Sequence, residues 1–356
     1  MWKEILGWCM PRGRWLLAAF AFVVAGGVAA PLVAQAASVT VWNLGAEVTD
    51  LRVGPSGEVW TMTGDAPRRL MPGTNEVTTY SHPLVGTGVL AVDGAGQVWS
   101  PDSFSTAPGT VYVISRLDPT TLDVTSWPVD TPGVASSIAV DSSGNVWFGS
   151  STTAVWRLVP STNTITKWTL PISGVSIAAR HPFGPGGRVW LRYSSGLAVL
   201  NPATSQLTYW ASPSGTWQSP FAHTDGSAWF AVQYSGAAVD SIARLNPNTN
   251  EVTEWPCRAG CDGLLYVHVR SDGKVWFTET GTASNTPSYI GRLDPAATPP
   301  AFSEWPLRCP DVTAASCSSA VWVLPLAVEF SSAGDVWTYF DYSGYGAHYR
   351  VARLTP

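Results

Sequence analysis

The sequence predicts an all-β fold, a seven-bladed β-propeller of four-stranded antiparallel blades closed by its N-terminal strand, on three observations. A Gly-x-x-Trp unit recurs seven times, at Trp60, Trp99, Trp147, Trp190, Trp229, Trp276 and Trp337. An Arg-Leu-x-Pro unit follows each one, beginning at Arg69, Arg116, Arg157, Arg244, Arg292 and Arg353, with Val199 standing in place of Arg in the fourth repeat. Finally, the last repeat stops at Pro356 without the aromatic strand that ends the others, while Val39, Thr40, Val41 and Trp42 supply a spare copy of that strand at the other end. Self-similarity with a period near 40 residues is the mark of a repeat array, and pairing the spare strand with the truncated repeat removes the two open edges such an array would expose.

Each repeat then reads as an inner strand, a tight turn built on Asp or Ser and Gly, the Trp-bearing strand, a third strand ending in Arg-Leu, a Pro-led turn and an outer strand. The outer strand carries Tyr80, Trp127, Trp168, Trp210, Trp255 or Trp305. Thirteen of the 19 Trp fall in the two repeated aromatic slots, so the Trp wealth is assigned to packing rather than to a ligand cage.

Composition agrees. Apolar residues make up 45% and charged residues 13% of the 356, with 33 Gly and 28 Pro lacking any collagen-like period. A formal charge of −5 gives no basic footprint, which excludes nucleic acid as an expected partner. Residues 1–36 have the layout of a signal peptide: Lys3, Arg12 and Arg14, an apolar run, and the small-residue triplet Ala34, Gln35, Ala36. Residues 37–356 are then a single propeller domain, secreted or held in the periplasm or at the cell surface, monomeric and off the membrane once the leader is cleaved. A retained anchor is the alternative for the leader. Cys257, Cys261, Cys309 and Cys317 lie in two successive blade-to-blade loops. In an exported chain they imply disulfides, with local pairing of Cys257 to Cys261 and Cys309 to Cys317 preferred over pairing across blades.

Trp276-Phe277-Thr278-Glu279, followed by Tyr289-Ile290-Gly291-Arg292-Leu293-Asp294-Pro295, resembles the blade signature of the streptogramin lyase (virginiamycin B lyase) propellers. Weaker copies such as Gly144-Asn145-Val146-Trp147-Phe148 extend the likeness along the mature chain. The resemblance implies a seven-bladed propeller and a magnesium-assisted elimination that opens a cyclic depsipeptide lactone with a His base and carboxylates. The slots that hold the family His carry Thr49, Gly88, Ser136, Val175, Gln218, Leu265 and Leu326 here. Pro325 matches the family Pro, and Glu279 matches one acidic position approximately.

Candidate functional residues form three sets. Eight residues before the blade Trp, most repeats place small or apolar groups: Ala91, Ala139, Phe221 and, allowing for an insertion, Ala178. Three successive blades of the closed ring instead place His268, Glu329 and Arg52 there, either a catalytic cluster in which Glu orients His or an ion pair lining the channel. The last blade carries Tyr339, Asp341, Tyr342, Tyr345 and His348, suited to stacking on a sugar or peptide or to covering the closure seam. Glu279 is a candidate metal carboxylate, for Mg or Ca if the protein is catalytic. Trp-to-Arg spacing varies from nine to seventeen, whereas the opposite turns are nearly constant, so binding is expected on the variable-loop face. The expected function is binding of a small-molecule, glycan or protein ligand there. The alternative is a divergent lyase or lactonase using His268, Glu279 and Glu329.

Overall fold

The computed structural model describes residues 22–24, 38–45, 47–63, 66–80, 85–86, 88–106, 109–178, 180–218, 220–235, 239–258, 261, 263–280, 288–307, 322–343 and 350–356. Seven antiparallel sheets follow one another along the chain, each with the inner, second, third and outer strand order read from the repeat. The third blade shows the pattern without interruption: Ser137–Val140, Val146–Gly149, Ala154–Val159 and Thr164–Thr169.

Ring closure occurs as the sequence predicts. Ser38–Asn43 runs antiparallel to Arg350–Thr355, with Val39 opposite Leu354 and Trp42 opposite Val351. The seventh sheet is thus completed by Ser38–Asn43, and its second strand, Val336–Ser343, and split inner strand come from the C-terminal repeat. Phe22–Val24, within the N-terminal apolar run, lie parallel to Val252–Glu254 at the outer edge of the fifth blade. Among the described residues no helix is long and apolar enough to cross a membrane.

The repeated Gly is required by backbone geometry. Gly57, Gly96, Gly144, Gly187, Gly226, Gly273 and Gly334 all adopt φ between 71 and 89°, in the left-handed region open to Gly at no steric cost. Each turn delivers the Trp three residues later into the core, where Trp60, Trp147, Trp190, Trp276 and Trp337 are at most 2% exposed. Each of the seven packs on the outer-strand aromatic of its own blade at centroid separations of 5.1 to 5.6 Å, six of them stacked and Trp60 tilted on Tyr80. Such pairs contribute about 0.5–1.5 kcal/mol each beyond the area they bury.

The repeated Arg has its role here too. Arg157 pairs across the ladder with Trp147, and its guanidinium sits 5.5 Å from that ring and 5.4 Å from Trp168. Arg69, Arg116, Arg292 and Arg353 cap both aromatics of their blades in the same way. In the fourth blade Val199 takes the place opposite Trp190 and leaves a stack without a cation. A second device ties neighbours together. The outer-strand indoles Trp42, Trp127 and Trp210 each donate to an Asn in the turn of the following blade, Asn75, Asn163 and Asn250, at 2.7–2.8 Å. Those three Asn have φ of 53 to 58°, a conformation Asn tolerates better than most residues.

Of the two expected disulfides, Cys257 to Cys261 is present. Cys309 and Cys317 lie outside the described residues.

Trp42 stacks on Trp337 at 5.2 Å, lies under Arg353 and donates to Asn75 of the first blade. Trp42→Ala is therefore expected to cost about 2–4 kcal/mol, somewhat below the range for a fully buried Trp. Urea denaturation checks this, and a loss under about 1 kcal/mol would mean that the closing strand is held by its ladder alone.

Candidate functional site

The inner strands carry one register position directly opposite the blade Trp, and it points to the axis. Arg52 pairs with Trp60, Ala91 with Trp99, Ala139 with Trp147, Phe221 with Trp229, His268 with Trp276 and Glu329 with Trp337. The alignment that singled out Arg52, His268 and Glu329 is therefore the physical register of the ring. The fourth blade departs from it. Ala178 N–H donates to the Trp190 carbonyl and Trp190 N–H donates to the Pro182 carbonyl, so the residues between bulge out of the inner strand. Two of them, Arg180 and His181, join the polar cluster. Sequence reasoning missed both, although the insertion needed to align this repeat was the signal.

Arg180 is the hub. Its Nη1 donates to Glu329 Oε1 at 2.9 Å and to the Leu51 carbonyl at 2.8 Å, and its Nη2 donates to Asp50 Oδ1 at 3.1 Å. Arg52 Nη1 donates to the same Asp50 oxygen at 2.5 Å. All four side chains are at most 10% exposed. Burial disfavours the charged guanidinium of Arg180, but Asp50 and Glu329 outweigh it and raise its pKa. Two guanidinium groups facing two carboxylates make a neutral, hydrogen-bonded set, the arrangement a buried ionic network requires.

His268 is buried between Phe221 and Phe330, with ring centroids 4.6 and 4.5 Å away. Its Nδ1 lies 3.2 Å from the Val328 carbonyl, which can only accept, so Nδ1 carries the proton and Nε2 the lone pair. Burial, with His181 beside it, pushes its pKa well below the usual imidazole value. His181 meets His268 edge-on at 4.4 Å, and its Nε2 is 3.9 Å from Glu329 Oε2. Its side chain is 43% exposed to the channel, yet enclosure by protein still lowers its pKa, Glu329 notwithstanding. His181, His268 and Glu329 are, among the described residues, the group whose ligand atoms lie mutually within 4.8 Å.

Above this cluster lies a cavity of about 700 Å³ on the propeller axis. Its walls come from the inner strands and from Thr224, Ser271 and Gly273 in the tight turns, so it is reached from the tight-turn face. The fully charged lining residues are Arg52, Arg180, Arg270 and Glu329; since Asp50 and Glu329 match Arg52 and Arg180, Arg270 supplies the excess positive charge of the wall. Residues 281–287 and 308–321 lie outside the described residues.

The other expected site residues are placed elsewhere. Glu279 ends its strand three residues beyond Trp276, about 10 Å along the ladder. There Arg258 Nη2 donates to both its oxygens, at 2.9 and 3.2 Å, while Arg258 Nε donates to Glu304 at 2.6 Å. Glu279 is thus an Arg partner on the variable side, not an open metal carboxylate, and the set of His268, Glu279 and Glu329 is not assembled. Burial, with Glu304 sharing the one guanidinium, pushes the Glu279 carboxyl up to about 8. Tyr339 is not a surface aromatic either. It is 5% exposed and donates to the Thr49 carbonyl at 2.7 Å, because its register opposite Val351 turns it into the closure core. Asp341 and Tyr342 lie in the same strand opposite Leu324 and Val323, with side chains outside the described set, as are Tyr345 and His348 entirely.

No protein-family model and no curated protein matches the chain. Solved structures do match in fold. One is YCF48 bound to D1 peptide, at 12% identity and a TM-score of 0.62, covering 92% of this chain and 98% of that one. Another is the WD40 repeats of RRP9, at 10% identity and a TM-score of 0.59, covering 89% and 97%. A third is the extracellular domain of the hybrid two-component system BT3049 from B. thetaiotaomicron, at 13% identity and a TM-score of 0.53, covering 88% and 41%. With the ring and its axial cavity, they define the class: a seven-bladed β-propeller. Likeness at this identity extends to the fold alone.

Two tests follow. Replacing Arg180 by Met leaves Asp50 and Glu329 buried with one guanidinium between them, and is expected to cost about 3–5 kcal/mol in urea denaturation. Adding Glu329→Gln should recover part of the loss; no recovery would show that charge balance is not what Arg180 supplies. The second concerns pH. The unfolded chain releases the Glu279 proton near the usual carboxylate value, whereas the folded chain holds it to about 8. The unfolded state therefore binds fewer protons between those values, and this group lowers stability as pH rises through that window. Glu279→Gln should flatten the decline between pH 5 and 8, measured by thermal denaturation, and an unchanged slope would remove Glu279 as its cause.

Proposed function

We propose that the protein is a binding propeller of the extracellular or periplasmic space that takes the anionic end of a small molecule or peptide into its axial cavity. The observation that carries this reading is the cavity wall, where three Arg and one Glu are the full charges and a pre-paired Arg180–Asp50–Arg52 network forms the floor. Such a network holds its donors in place before a ligand arrives, which lowers the entropy cost of binding. The leader-like residues 1–36 and the Cys257 to Cys261 disulfide support export. YCF48, similar in fold, is described with a bound peptide, which supports a peptide as one ligand class. The variable-loop face, on the other end of the ring, remains the surface for a larger partner.

A lyase or lactonase is the second reading, favoured by the neutral imidazole of His268 facing the cluster. Lactone opening by the purified protein, lost in His268→Ala, would replace the binding reading with this one.

The binding reading is tested by titrating short peptides with free C-terminal carboxylates against their amidated forms. The carboxylate forms should bind about tenfold or more tightly, since a hydrogen bond to a charged group contributes about 1.5–3 kcal/mol. Val140→Trp, at the partly exposed cavity wall, should abolish binding without loss of fold. Equal affinity for both forms overturns the anionic preference, and binding untouched by Val140→Trp moves the site to the variable loops.

A further inference from the structure

We propose that His181, His268 and Glu329 form a binding site for a divalent transition-metal ion of the zinc class, with an open position facing the axial cavity. This goes beyond ligand binding and does not depend on it. The three residues come from the fourth, sixth and seventh blades, so only the closed ring brings them together.

The donor set has the chemistry of such a site. Two imidazoles and one carboxylate suit zinc and its neighbours, whereas magnesium and calcium require a shell of oxygens. The surrounding bonds orient the donors as outer partners of metal ligands do. His268 gives its Nδ1 proton to the Val328 carbonyl, which leaves Nε2 as its donor atom. Glu329 has Oε1 held by Arg180, while Oε2 lies toward His181. His181 Nε2 is shielded from solvent and makes no hydrogen bond, an expensive state for a polar nitrogen without a further partner.

Distances allow an ion with modest closure. Metal–nitrogen bonds of about 2.0–2.1 Å place tetrahedral donor pairs about 3.3 Å apart. His181 Nε2 and Glu329 Oε2 are now 3.9 Å apart and all three donors lie within 4.8 Å, so closure by up to about 1.5 Å is needed. His181 sits on the bulge that interrupts its inner strand, and can supply that movement without shifting a ladder. The nearby guanidinium groups do not forbid a cation, because Arg52 and Arg180 are matched by Asp50 and Glu329. Three protein donors leave one tetrahedral position toward the cavity, where water or an anionic ligand would complete the shell.

The experiment titrates the tag-free full chain with Zn²⁺ by calorimetry and with Co²⁺ by visible absorption. One ion should bind per chain with micromolar or tighter Kd, and cobalt should give the intense bands of tetrahedral coordination. His181→Ala and the isosteric Glu329→Gln, each shown to be folded by circular dichroism, should weaken zinc binding at least about 100-fold, the upper end of what losing even an outer partner costs. His223→Ala, at a His that pairs with Asp225 outside the cluster, should leave it unchanged. Absence of stoichiometric binding to the wild-type chain, or equal affinity in folded His181→Ala, overturns the site. Since the probe is the metal alone, its failure leaves the anionic-ligand reading standing, and peptide titration tests that reading separately.

Discussion

The ladder between Ser38–Asn43 and Arg350–Thr355 is the constraint on which the rest of the molecule depends. Blade packing alone would give an open array with an unpaired edge at each end, and exposed edges invite association with other chains. Closing the ring pairs both edges at once. It also brings the first blade against the seventh, so that Tyr339 of one bonds the Thr49 carbonyl of the other. Asp50, Arg52, Arg180 and Glu329 can balance their charges only in that geometry.

Within each blade the stabilising unit is an aromatic pair with a cation over it. The two rings bury large areas, and the Arg covers the stack while keeping its charge near the surface. This explains why Arg and Trp recur together in the repeat, and why the fold tolerates Val199 in one blade: the stack of Trp190 on Trp210 persists without its cation. The indole-to-Asn bonds appear where the next blade's turn offers an Asn in the left-handed conformation. They add direction to an interface otherwise made of non-directional apolar contact.

Because the repeats spend their chemistry on packing, function has to come from departures from the repeat. The channel position opposite each Trp is small or apolar in several blades and polar in three. The fourth blade adds Arg180 and His181 by bulging its inner strand, a common way to re-aim side chains at a site. The result is a charged floor beneath a shaft whose inner-strand wall includes Val53, Ala91, Ile138 and Phe221. Toward the variable side of the sixth blade, Arg258 pairs with both Glu279 and Glu304, and burial leaves Glu279 with a raised proton affinity.

The sequence by itself determined the number of blades, the strand order, the Gly turns and the closing strand, since each is a local or periodic signal; it favoured the Cys257 to Cys261 pairing, which the structure decided. It also located Arg52, His268 and Glu329, because register in a strand follows from counting. What it could not decide was which residues meet across the axis. Asp50 and Arg180 are 130 residues apart, and the bulge that carries Arg180 and His181 breaks the very spacing used to count. Tyr339 and Glu279 were misplaced for a related reason. A side chain's exposure and partner depend on which blade packs against it, and that is settled only when seven sheets close into one ring.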